Sequence, residues 1–404
     1  MQNIAMPTAS TTPSAAHVET PTATISDLRA ELHTKGFVVI PTSIFQLDEA
    51  TLQQVQTEVD RLFAGHYATG IYPDEIHWRP GISDPQATRE LCNAWKASYV
   101  IRRLVCGTTL GQLACQLMSH APDPSDNTTN NDDSDIPLSP RPWHACRIGQ
   151  DDVLYKPPQS PAVGFHQDST YISDNFEPRE HTSLTMWMAL DRVDPENGAM
   201  QYAPGSHLWK TRMNGKHTGE GMAGHTNAVE DASFHLGKED DPLVNVRKAY
   251  SLHQKVVAAE GQSHILLSNN GTSRTTSDDT TEDDHRHETA AELTIHTIPL
   301  VQPGQLIVHH QAVWHGSCPN RSTTRIRRAV VAHLLAEHVQ WRPSPPPSYI
   351  YGRYVIRGES QPREDFFPIT YSDDSTCSRT EWLDEDDHHN GESSSKYCAI
   401  GFAG

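Results

Sequence analysis

Apolar residues recur at helical spacing through the first third of the chain. This spacing predicts a short amphipathic helix over residues 25–35, a second helix over 47–63, and a further helical stretch of one or two helices over 89–118. Between the first two helices, the apolar run Phe37–Ile40 ends at Pro41 and predicts a brief strand. The first third of the chain is therefore expected to be mainly helical.

Short apolar runs of strand length dominate the remainder of the chain, and Gly and Pro residues separate them. The runs predicted to be β-strands are 153–155, 183–190, 293–298, 305–309 and 328–335. Many short strands with such turns are typical of a β-sandwich or barrel. Together with a helix predicted near 241–258, they indicate an α+β fold in which helices, mainly from the N-terminal third, pack on a small β-barrel core.

Polar, low-complexity sequence interrupts this pattern and suggests how the domain is organised. Residues 1–24 are rich in Thr, Ala, Ser and Pro, and residues 373–404 are acidic, so both are predicted to be disordered tails. The segments near 121–138 and 268–292 are similar. We interpret them as surface insertions, because chemically suggestive motifs lie on both sides of the second one. The sequence thus predicts a single domain over 25–372.

The net charge and the cysteine pattern indicate which kinds of molecule the protein does not bind and where it is located. A formal net charge of −19 argues against nucleic acid and against anionic membrane, since both need clustered Lys and Arg. No window reaches about 18 continuous apolar residues, so no membrane span is expected. The chain shows no secretory signal pattern, and its seven cysteines form no C-x-x-C pair. These features predict an intracellular, cytoplasmic protein with a small-molecule substrate, and no feature predicts a protein partner.

The first candidate for chemistry is the H-x-D sequence of His166 and Asp168. In an extended strand, residues i and i+2 point to the same face, so this imidazole and this carboxylate can meet at one point. Two histidines and one carboxylate, with the opposite positions open, form the facial triad of non-haem Fe(II) oxygenases. The motif alone is weak evidence, because the chain holds 24 histidines.

A third ligand and an anion-binding group follow in the second half of the chain. The strand predicted over 305–309 leads through a turn to His315, which precedes Gly316 and Ser317. Arg327 lies about a dozen residues further on, beside the next predicted strand. Its guanidinium can form a fork with the far carboxylate of a 2-oxo acid, and Ser317 can donate a hydrogen bond to the same carboxylate.

Other residues compete for these two roles. His309 and His310 end the preceding strand, and His310 stands eleven residues before Arg321. Either histidine is an alternative metal ligand. Otherwise, both side chains would pack beside the site without binding the metal. Arg328 is likewise an alternative to Arg327.

The order of short motifs along the chain resembles that of the phytanoyl-CoA dioxygenase family. The matching pieces are Lys156-Pro157-Pro158, Phe165 to Asp168, Trp187 to Asp191, Asn197 to Met200, Pro204 to His207, His315-Gly316-Ser317 and Arg327-Arg328-Ala329. Their order and rough spacing agree over about residues 30–370. The resemblance implies a double-stranded β-helix, the jelly-roll core of cupin-like proteins.

The resemblance also implies a reaction and its cofactors. Iron falls on His166, Asp168 and His315, and His315 is preferred to its neighbours because its turn matches that of the family. The 2-oxoglutarate carboxylate falls on Arg327 and Ser317, with Trp187 lining the pocket. The expected activity is hydroxylation of a small organic substrate by Fe(II), 2-oxoglutarate and O2, with release of succinate and CO2. Ascorbate is a candidate reductant.

Some features depart from the family pattern or leave the function open. Cys318 replaces the usual glycine, and the interval from His315 to Arg327 is one residue longer than is common, which keeps Arg328 in question. Asp168 is retained, which argues against a halogenase. The alternative function is a non-catalytic, cupin-like metal or ligand binder. The substrate is not identified, since an acyl-CoA fits the family name but fits an acidic protein poorly.

Overall fold

The computed structural model describes residues 23–119, 141–210, 241–269, 292–345 and 349–374, with short pieces at 212–213, 216–217, 377–381 and 383. The helices in these ranges are α1 (Ile25–Lys35), α2 (Glu49–Phe63), α3 (Tyr99–Val105), α4 (Thr108–Met118), α5 (Ser169–Asn175), α6 (Val244–Asn269) and α7 (Tyr349–Gly352). The strands are β1 (Phe37–Ile40), β2 (Glu75–Ile76), β3 (Arg89–Cys92), β4 (Ala145–Lys156), β5 (Val163–His166), β6 (Phe176–Glu177), β7 (Ser183–Ala189), β8 (Met200–Tyr202), β9 (Arg212–Met213), β10 (Lys216–His217), β11 (His296–Ile298), β12 (Leu306–His310), β13 (His315–Ser317), β14 (Arg327–Ala336), β15 (Gln340–Trp341) and β16 (Ile369–Ser372). None of the helices in the described ranges is long and apolar enough to cross a membrane.

Local sequence signals set the ends of the first helices. Thr24 caps α1, since its side chain accepts a hydrogen bond from the amide of Asp27 and its own amide donates to the Asp27 carboxylate. Gly36 ends α1 at φ 81°, a left-handed conformation that glycine adopts without strain. Asp48 caps α2 by accepting from the amide of Thr51. The turn at Gly36 leads the chain directly from α1 into β1.

Two antiparallel sheets form the centre of the fold. The larger sheet contains β1, β12, β7, β14, β4, β3 and β2 in that spatial order, and β16 also pairs with β4. The smaller sheet has the order β11, β8, β13, β5. Most neighbouring strands are distant in sequence, so pairing connects segments that local pattern cannot relate. The prediction of mixed helices and antiparallel sheet is confirmed.

A thin, largely apolar layer separates the two sheets. Phe37 of β1 stacks on Tyr202 of β8 with ring centroids 4.3 Å apart. Trp187 and Ile307 of the larger sheet belong to the same buried cluster as Met200 of the smaller one. The two sheets therefore face each other, and polar side chains within this layer are shielded from solvent.

The opposite face of the larger sheet packs against helices. Alternate residues of β7, namely Leu184, Met186 and Met188, join a core to which α1, α2 and α4 contribute. The intervening Thr185 and Trp187 point to the other side, where they line a cavity. Because both faces of β7 are covered, its sequence is a nearly continuous apolar run.

The structure differs from the predicted elements at two places. Residues 89–92, predicted to be helical, form β3, and its Leu91 lies opposite Val153 of β4. The strand predicted over 153–155 is only the end of β4, which has 12 residues. The apolar pattern did not predict the full length of β4, because residues 150–152 are polar. They are nevertheless buried, since neighbouring elements cover this strand.

Much of the predicted tail and insertion sequence, including 1–22, 121–138 and 270–291, lies outside the described residues. Part of the predicted C-terminal tail, namely residues 373–374, 377–381 and 383, lies within the described residues. Thr380 is buried, accepts from the amide of Ile369 and donates to Glu364, and Leu383 is also buried. The division into one domain with two insertions stays a prediction.

Replacing Leu184 by Ala is expected to lower the free energy of unfolding by about 2–5 kcal/mol, because the fully buried side chain leaves a cavity. Leu208 is 55% exposed and serves as the matched control, for which Leu208→Ala should change stability by less than about 0.5 kcal/mol. Urea unfolding followed by circular dichroism measures both variants. Equal losses would contradict the placement of β7 in the core.

Candidate metal centre

His166 and His315 face each other across the paired strands β5 and β13. Their ring centroids are 4.3 Å apart. The Oδ1 atom of Asp168 lies 3.9 Å from His166 Nε2 and 3.5 Å from His315 Nε2. All three ligand atoms lie within 4.8 Å of one another. The structure thus gathers the three predicted ligands into a cluster with the donor set of a facial triad.

Backbone carbonyl groups orient both imidazoles. The Nδ1 atom of His166 lies 2.9 Å from the carbonyl oxygen of Gly164, and that of His315 lies 3.0 Å from the carbonyl oxygen of Val313. A proton on each Nδ1 leaves Nε2 free to accept a metal, which is the usual arrangement of metal-binding histidines. The close approach of the two strands requires Gly316, since a Cβ there would sit 2.7 Å from a carbonyl oxygen of β5.

Asp168 reaches this cluster by a different route from the one predicted. Strand β5 ends at His166, and Asp168 lies just before α5 with φ −65° and ψ −28°. The rule for i and i+2 in an extended strand therefore does not apply. The chain turns into α5 at this point, and the turn directs the carboxylate towards β13. The predicted pair comes together through a local conformation that the sequence analysis predicted wrongly.

The second carboxylate oxygen of Asp168 is held by two neighbours. Thr185 Oγ1 donates to Oδ2 at 2.6 Å, and His309 Nε2 lies 3.2 Å from the same atom. The hydroxyl of Tyr202 lies 3.0 Å from His309 Nδ1. Burial opposes the charge of Asp168, but His315 and the hydrogen bond from His309 outweigh it and hold the pKa of this carboxyl well below its usual range. Asp168 is therefore an ionised carboxylate held in a fixed orientation.

The two candidate histidine ligands are neutral in this environment. Burial, reinforced by His315, lowers the pKa of His166 to about 4. Burial also lowers the pKa of His315 to about 4, although Asp168 opposes the shift. Both imidazoles therefore stay neutral at pH values below the ordinary histidine range.

A buried cationic group lies beside the cluster. Arg327 Nη2 donates to Ser317 Oγ at 3.5 Å, and Lys156 Nζ donates to the same oxygen at 3.3 Å and to the carbonyl oxygen of Pro161 at 2.6 Å. Among the described residues, Arg327 Nε and Nη1 have no hydrogen-bond partner, and neither does Trp187 Nε1. Unpaired buried donors on a charged group are costly, and a bound carboxylate would satisfy them.

The electrostatic state of this pair fits an anion site. Burial lowers the pKa of Arg327 to about 10. Burial, followed by the neighbouring Arg327, lowers the pKa of Lys156 well below its usual value. Two cationic groups without a counter-charge disfavour each other's protonation, so an anion placed between them would favour the charged form of both.

Arg328, the alternative anchor, is already paired elsewhere. Its Nη2 atom lies 2.8 Å from Asp191 Oδ1, and its Nη1 atom lies 3.0 Å from Asp60 Oδ2. Adjacent residues of a strand point to opposite faces, so Arg328 faces α2 while Arg327 faces the cavity. The geometry favours Arg327 as the anion-binding arginine.

The two alternative histidine ligands, His309 and His310, lie on opposite sides of β12. His309 forms a hydrogen bond with the Oδ2 atom of Asp168. His310 points to the other side of β12, where its Nε2 atom lies 3.1 Å from Nδ1 of His181. Its Nδ1 atom accepts from the amide of Ala312. His310 therefore does not join the cluster.

All six residues predicted for the site, namely His166, Asp168, His315, Arg327, Ser317 and Trp187, line one cavity of about 100 Å³. The sequence analysis assigned no role to Lys156, Thr185 or His333. Thr185 and His333 lie opposite each other in the β7–β14 register. Polar residues at alternate positions of otherwise apolar strands are the signal that could have identified these two.

A second group of potential ligands lies nearby, since the donor atoms of His77, Glu90 and Cys92 also fall within 4.8 Å of one another. Cys92 is fully buried in the main apolar core. Of the three residues, only Glu90 lines the cavity that contains the His–Asp–His cluster. This group therefore differs from the facial triad, because it has one histidine instead of two and a thiol in place of the second.

Several solved structures resemble the protein at low sequence identity. SnoK, a non-heme alpha ketoglutarate dependent carbocyclase from nogalamycin biosynthesis, is 17% identical with a TM-score of 0.50, over 89% of this chain and 99% of that chain. The epimerase SnoN from the same biosynthesis is 18% identical with a TM-score of 0.49, over 86% and 98%. EctD from S. alaskensis, solved with bound Fe, is 16% identical with a TM-score of 0.47, over 87% and 90%. At these identities the likeness to SnoK concerns the fold alone, and no curated protein matches the chain.

The family comparison is more specific. The pattern of the family described as phytanoyl-CoA dioxygenase (PhyH) matches residues 32–242 and 260–329, which is more than half of the chain. The protein therefore belongs to the phytanoyl-CoA dioxygenase family. This result confirms the resemblance seen in the sequence and, with it, the prediction of an enzyme of the dioxygenase class.

Acid is expected to destabilise the metal-free protein between about pH 6.5 and pH 4. In the folded state His166 and His315 have a pKa of about 4, whereas an unfolded histidine titrates near about 6.5. Below pH 6.5 the unfolded chain binds protons that the folded chain does not, so stability present above that pH is lost as the pH falls. The shift corresponds to about 3 kcal/mol per histidine over the whole window.

Urea unfolding of metal-free protein at pH 7, 6, 5 and 4 measures this loss. The variant His315→Gln removes one of the two titrating groups and should show a shallower dependence on pH. A dependence equal to that of the unsubstituted protein would contradict the assignment of the depressed pKa to His315.

Proposed function

We propose that the protein is an Fe(II)- and 2-oxoglutarate-dependent dioxygenase that hydroxylates a small organic substrate. The observation that carries this proposal is that one cavity holds both a His–Asp–His cluster and a buried guanidinium with unsatisfied donors. The first is suited to Fe(II) and the second to the carboxylate of a 2-oxo acid. Membership of the phytanoyl-CoA dioxygenase family supports the same function.

For the core we propose the double-stranded β-helix, or jelly roll. Two facing antiparallel sheets whose neighbouring strands are distant in sequence support it. In this arrangement β5 and β13 of the smaller sheet contribute the two histidines, and β14 of the larger sheet contributes Arg327. The cavity between the sheets is shielded from bulk water, which strengthens electrostatic interactions inside it.

The proposed iron ligands are His166, Asp168 and His315. When bound, Fe(II) and 2-oxoglutarate supply the oxidising chemistry, in which O2 and 2-oxoglutarate give succinate and CO2 while the second oxygen atom enters a C–H bond of the substrate. The protein holds Asp168 through Thr185 and His309, so the ligand cannot rotate away. Both imidazoles are kept neutral and directed by backbone carbonyl groups.

The proposed site for 2-oxoglutarate is formed by Arg327, Ser317 and Trp187, with Lys156 beside them. Arg327 would bind the far carboxylate through the donors that lack partners in the described structure. Ser317 Oγ receives hydrogen bonds from Arg327 and Lys156, so its own proton is free to point to the same carboxylate. The Trp187 ring covers the guanidinium at 5.2 Å and limits access of water.

The alternative function is a non-catalytic, cupin-like metal binder. Such a protein needs the His–Asp–His cluster but has no need for a buried, unpaired arginine next to it. The cost of burying Arg327 therefore favours a protein that also binds an organic anion.

Replacing Asp168 by Ala is expected to reduce bound iron by at least about tenfold, because a metal ligand and its charge are lost. Iron content after anaerobic loading, and succinate formed from 2-oxoglutarate with ascorbate present, measure the effect. Asp365→Ala, at a position whose side chain is 59% exposed, is the matched control and should behave as the unsubstituted protein. The proposal fails if the unsubstituted protein forms no succinate or if Asp168→Ala retains its iron.

Replacing Arg327 by Ala is expected to raise the KM for 2-oxoglutarate by about 30-fold or more, because a charge-assisted pair of hydrogen bonds is lost. Arg328→Ala is the matched control on the adjacent residue. It should leave this KM within about twofold while lowering stability, since it removes the bridge to Asp191 and Asp60. The reverse pattern would make Arg328 the anchor.

A further inference from the structure

The wall of the cavity formed by β3 and β4 carries polar groups that have no part in holding iron or 2-oxoglutarate. Alternate residues of β4, namely Gln150, Asp152 and Leu154, line the cavity, and Glu90 of β3 lies opposite Leu154 in the register. The neighbouring Arg89 turns away and stacks on Trp78 at 3.9 Å. The strand pairing therefore presents two carboxylates side by side to the interior.

Asp152 has hydrogen-bond partners, whereas the carboxyl group of Glu90 has none among the described residues. Gln150 Nε2 donates to Asp152 Oδ1 at 2.7 Å, and His333 Nε2 lies 2.9 Å from Asp152 Oδ2. The carboxylate of Glu90 accepts no hydrogen bond from any residue in the described ranges. The Nε2 atom of His77 lies 4.0 Å from Glu90 Oε2, which is beyond hydrogen-bond distance.

The local charges disfavour the ionised form of Glu90, because the neighbouring cationic group is shared between two other acids. His333 serves two acids at once, since its Nδ1 atom also lies 3.7 Å from Asp168 Oδ2. Burial, followed by the proximity of Asp152, raises the pKa of Glu90 to about 8. A buried acid with this surrounding gains most from a ligand that brings a positive charge and N–H donors.

The position of Glu90 connects this group to the candidate metal centre. His333 touches both Asp152 and Asp168, so the β3–β4 wall is one side chain away from the proposed iron ligand. The same cavity also offers apolar surface from Leu154, Ile172 and Val331. A molecule held at Glu90 would thus lie against apolar side chains and close to the iron position.

We propose that Glu90, with Asp152 beside it, recognises the substrate, and that the substrate is a compact organic cation, an amine or amidine on an apolar body. This inference rests on the proposed function, since it names the substrate class of the same site. Among the described residues that line the cavity, Arg327 is the one arginine and there is no lysine. Inside the cavity, the phosphates of an acyl-CoA would therefore find no arginine or lysine apart from the arginine proposed for 2-oxoglutarate.

The test uses full-length protein loaded anaerobically with Fe(II) and 2-oxoglutarate. Calorimetric titration compares four probes that share a cyclohexane ring and differ in the attached group. They are cyclohexylmethylammonium, cyclohexylmethanol, cyclohexanecarboxylate and cyclohexanecarbonyl-CoA. The ammonium probe is expected to bind at least about tenfold more tightly than the alcohol, because it forms a charge-assisted hydrogen bond with Glu90. Carboxylate and thioester probes are expected to bind more weakly than the alcohol.

The variant Glu90→Gln should remove most of the preference for the ammonium probe. Its iron content and its affinity for 2-oxoglutarate, measured before any probe is added, establish that the metal centre of the variant is intact. Glu90→Asp keeps the charge and should retain part of the preference. Glu75→Gln, on the neighbouring strand β2 and outside the cavity lining, is the matched control and should retain all of it.

Four results would overturn the inference: no binding of the ammonium probe, no preference for it, tighter binding of the carboxylate or thioester, or a preference that survives in Glu90→Gln. Failure of the proposed function gives a different result. In that case the unsubstituted protein would not bind iron or 2-oxoglutarate, and both are measured before any probe is added.

Discussion

The pairing of β5 with β13 is the contact on which the candidate site depends. It sets His166 opposite His315, and the turn that follows β5 then brings Asp168 to both imidazoles. The two strands are short, with four and three residues, and cannot hold this geometry alone. Strand β8 supports β13 from the other side, and the larger sheet closes the layer beneath it.

Charged side chains that already have partners differ from those that could still bind a ligand. Arg328 is buried against two aspartates, and Asp168 is held by Thr185 and His309. In the described structure, Arg327 lies in the same interior with two donor atoms that lack partners, and Glu90 lies there with His77 Nε2 at 4.0 Å from its carboxyl group. Burying an unpaired charge or ionising a buried acid costs free energy, so a bound anion at Arg327 and a bound cation at Glu90 would stabilise the protein.

Particular residues show how far sequence reasoning reached. The motif order predicted the family, and the apolar spacing predicted β7, β12 and β14 almost to their ends. Strand β3 and most of β4 were missed because buried polar residues do not follow the apolar pattern. Lys156, Thr185 and His333 were missed as parts of the site for a related reason, since hydrogen bonds between strands distant in sequence decide what each side chain contacts.

The sequence by itself determined the donor set, since the histidines, the aspartate and the arginine stand in family order at spacings that are readable along the chain. It also determined the alternation that turns Arg327 and Arg328 to opposite faces once a strand is assumed. Only the tertiary structure decided which of the two arginines faces the cavity and how Asp168 reaches the cluster from outside the strand. It also decided that the carboxyl group of Glu90 has no hydrogen-bond partner among the described residues. The physical reason is that these outcomes depend on burial and on pairing across the sheets, and neither is a property of any local segment.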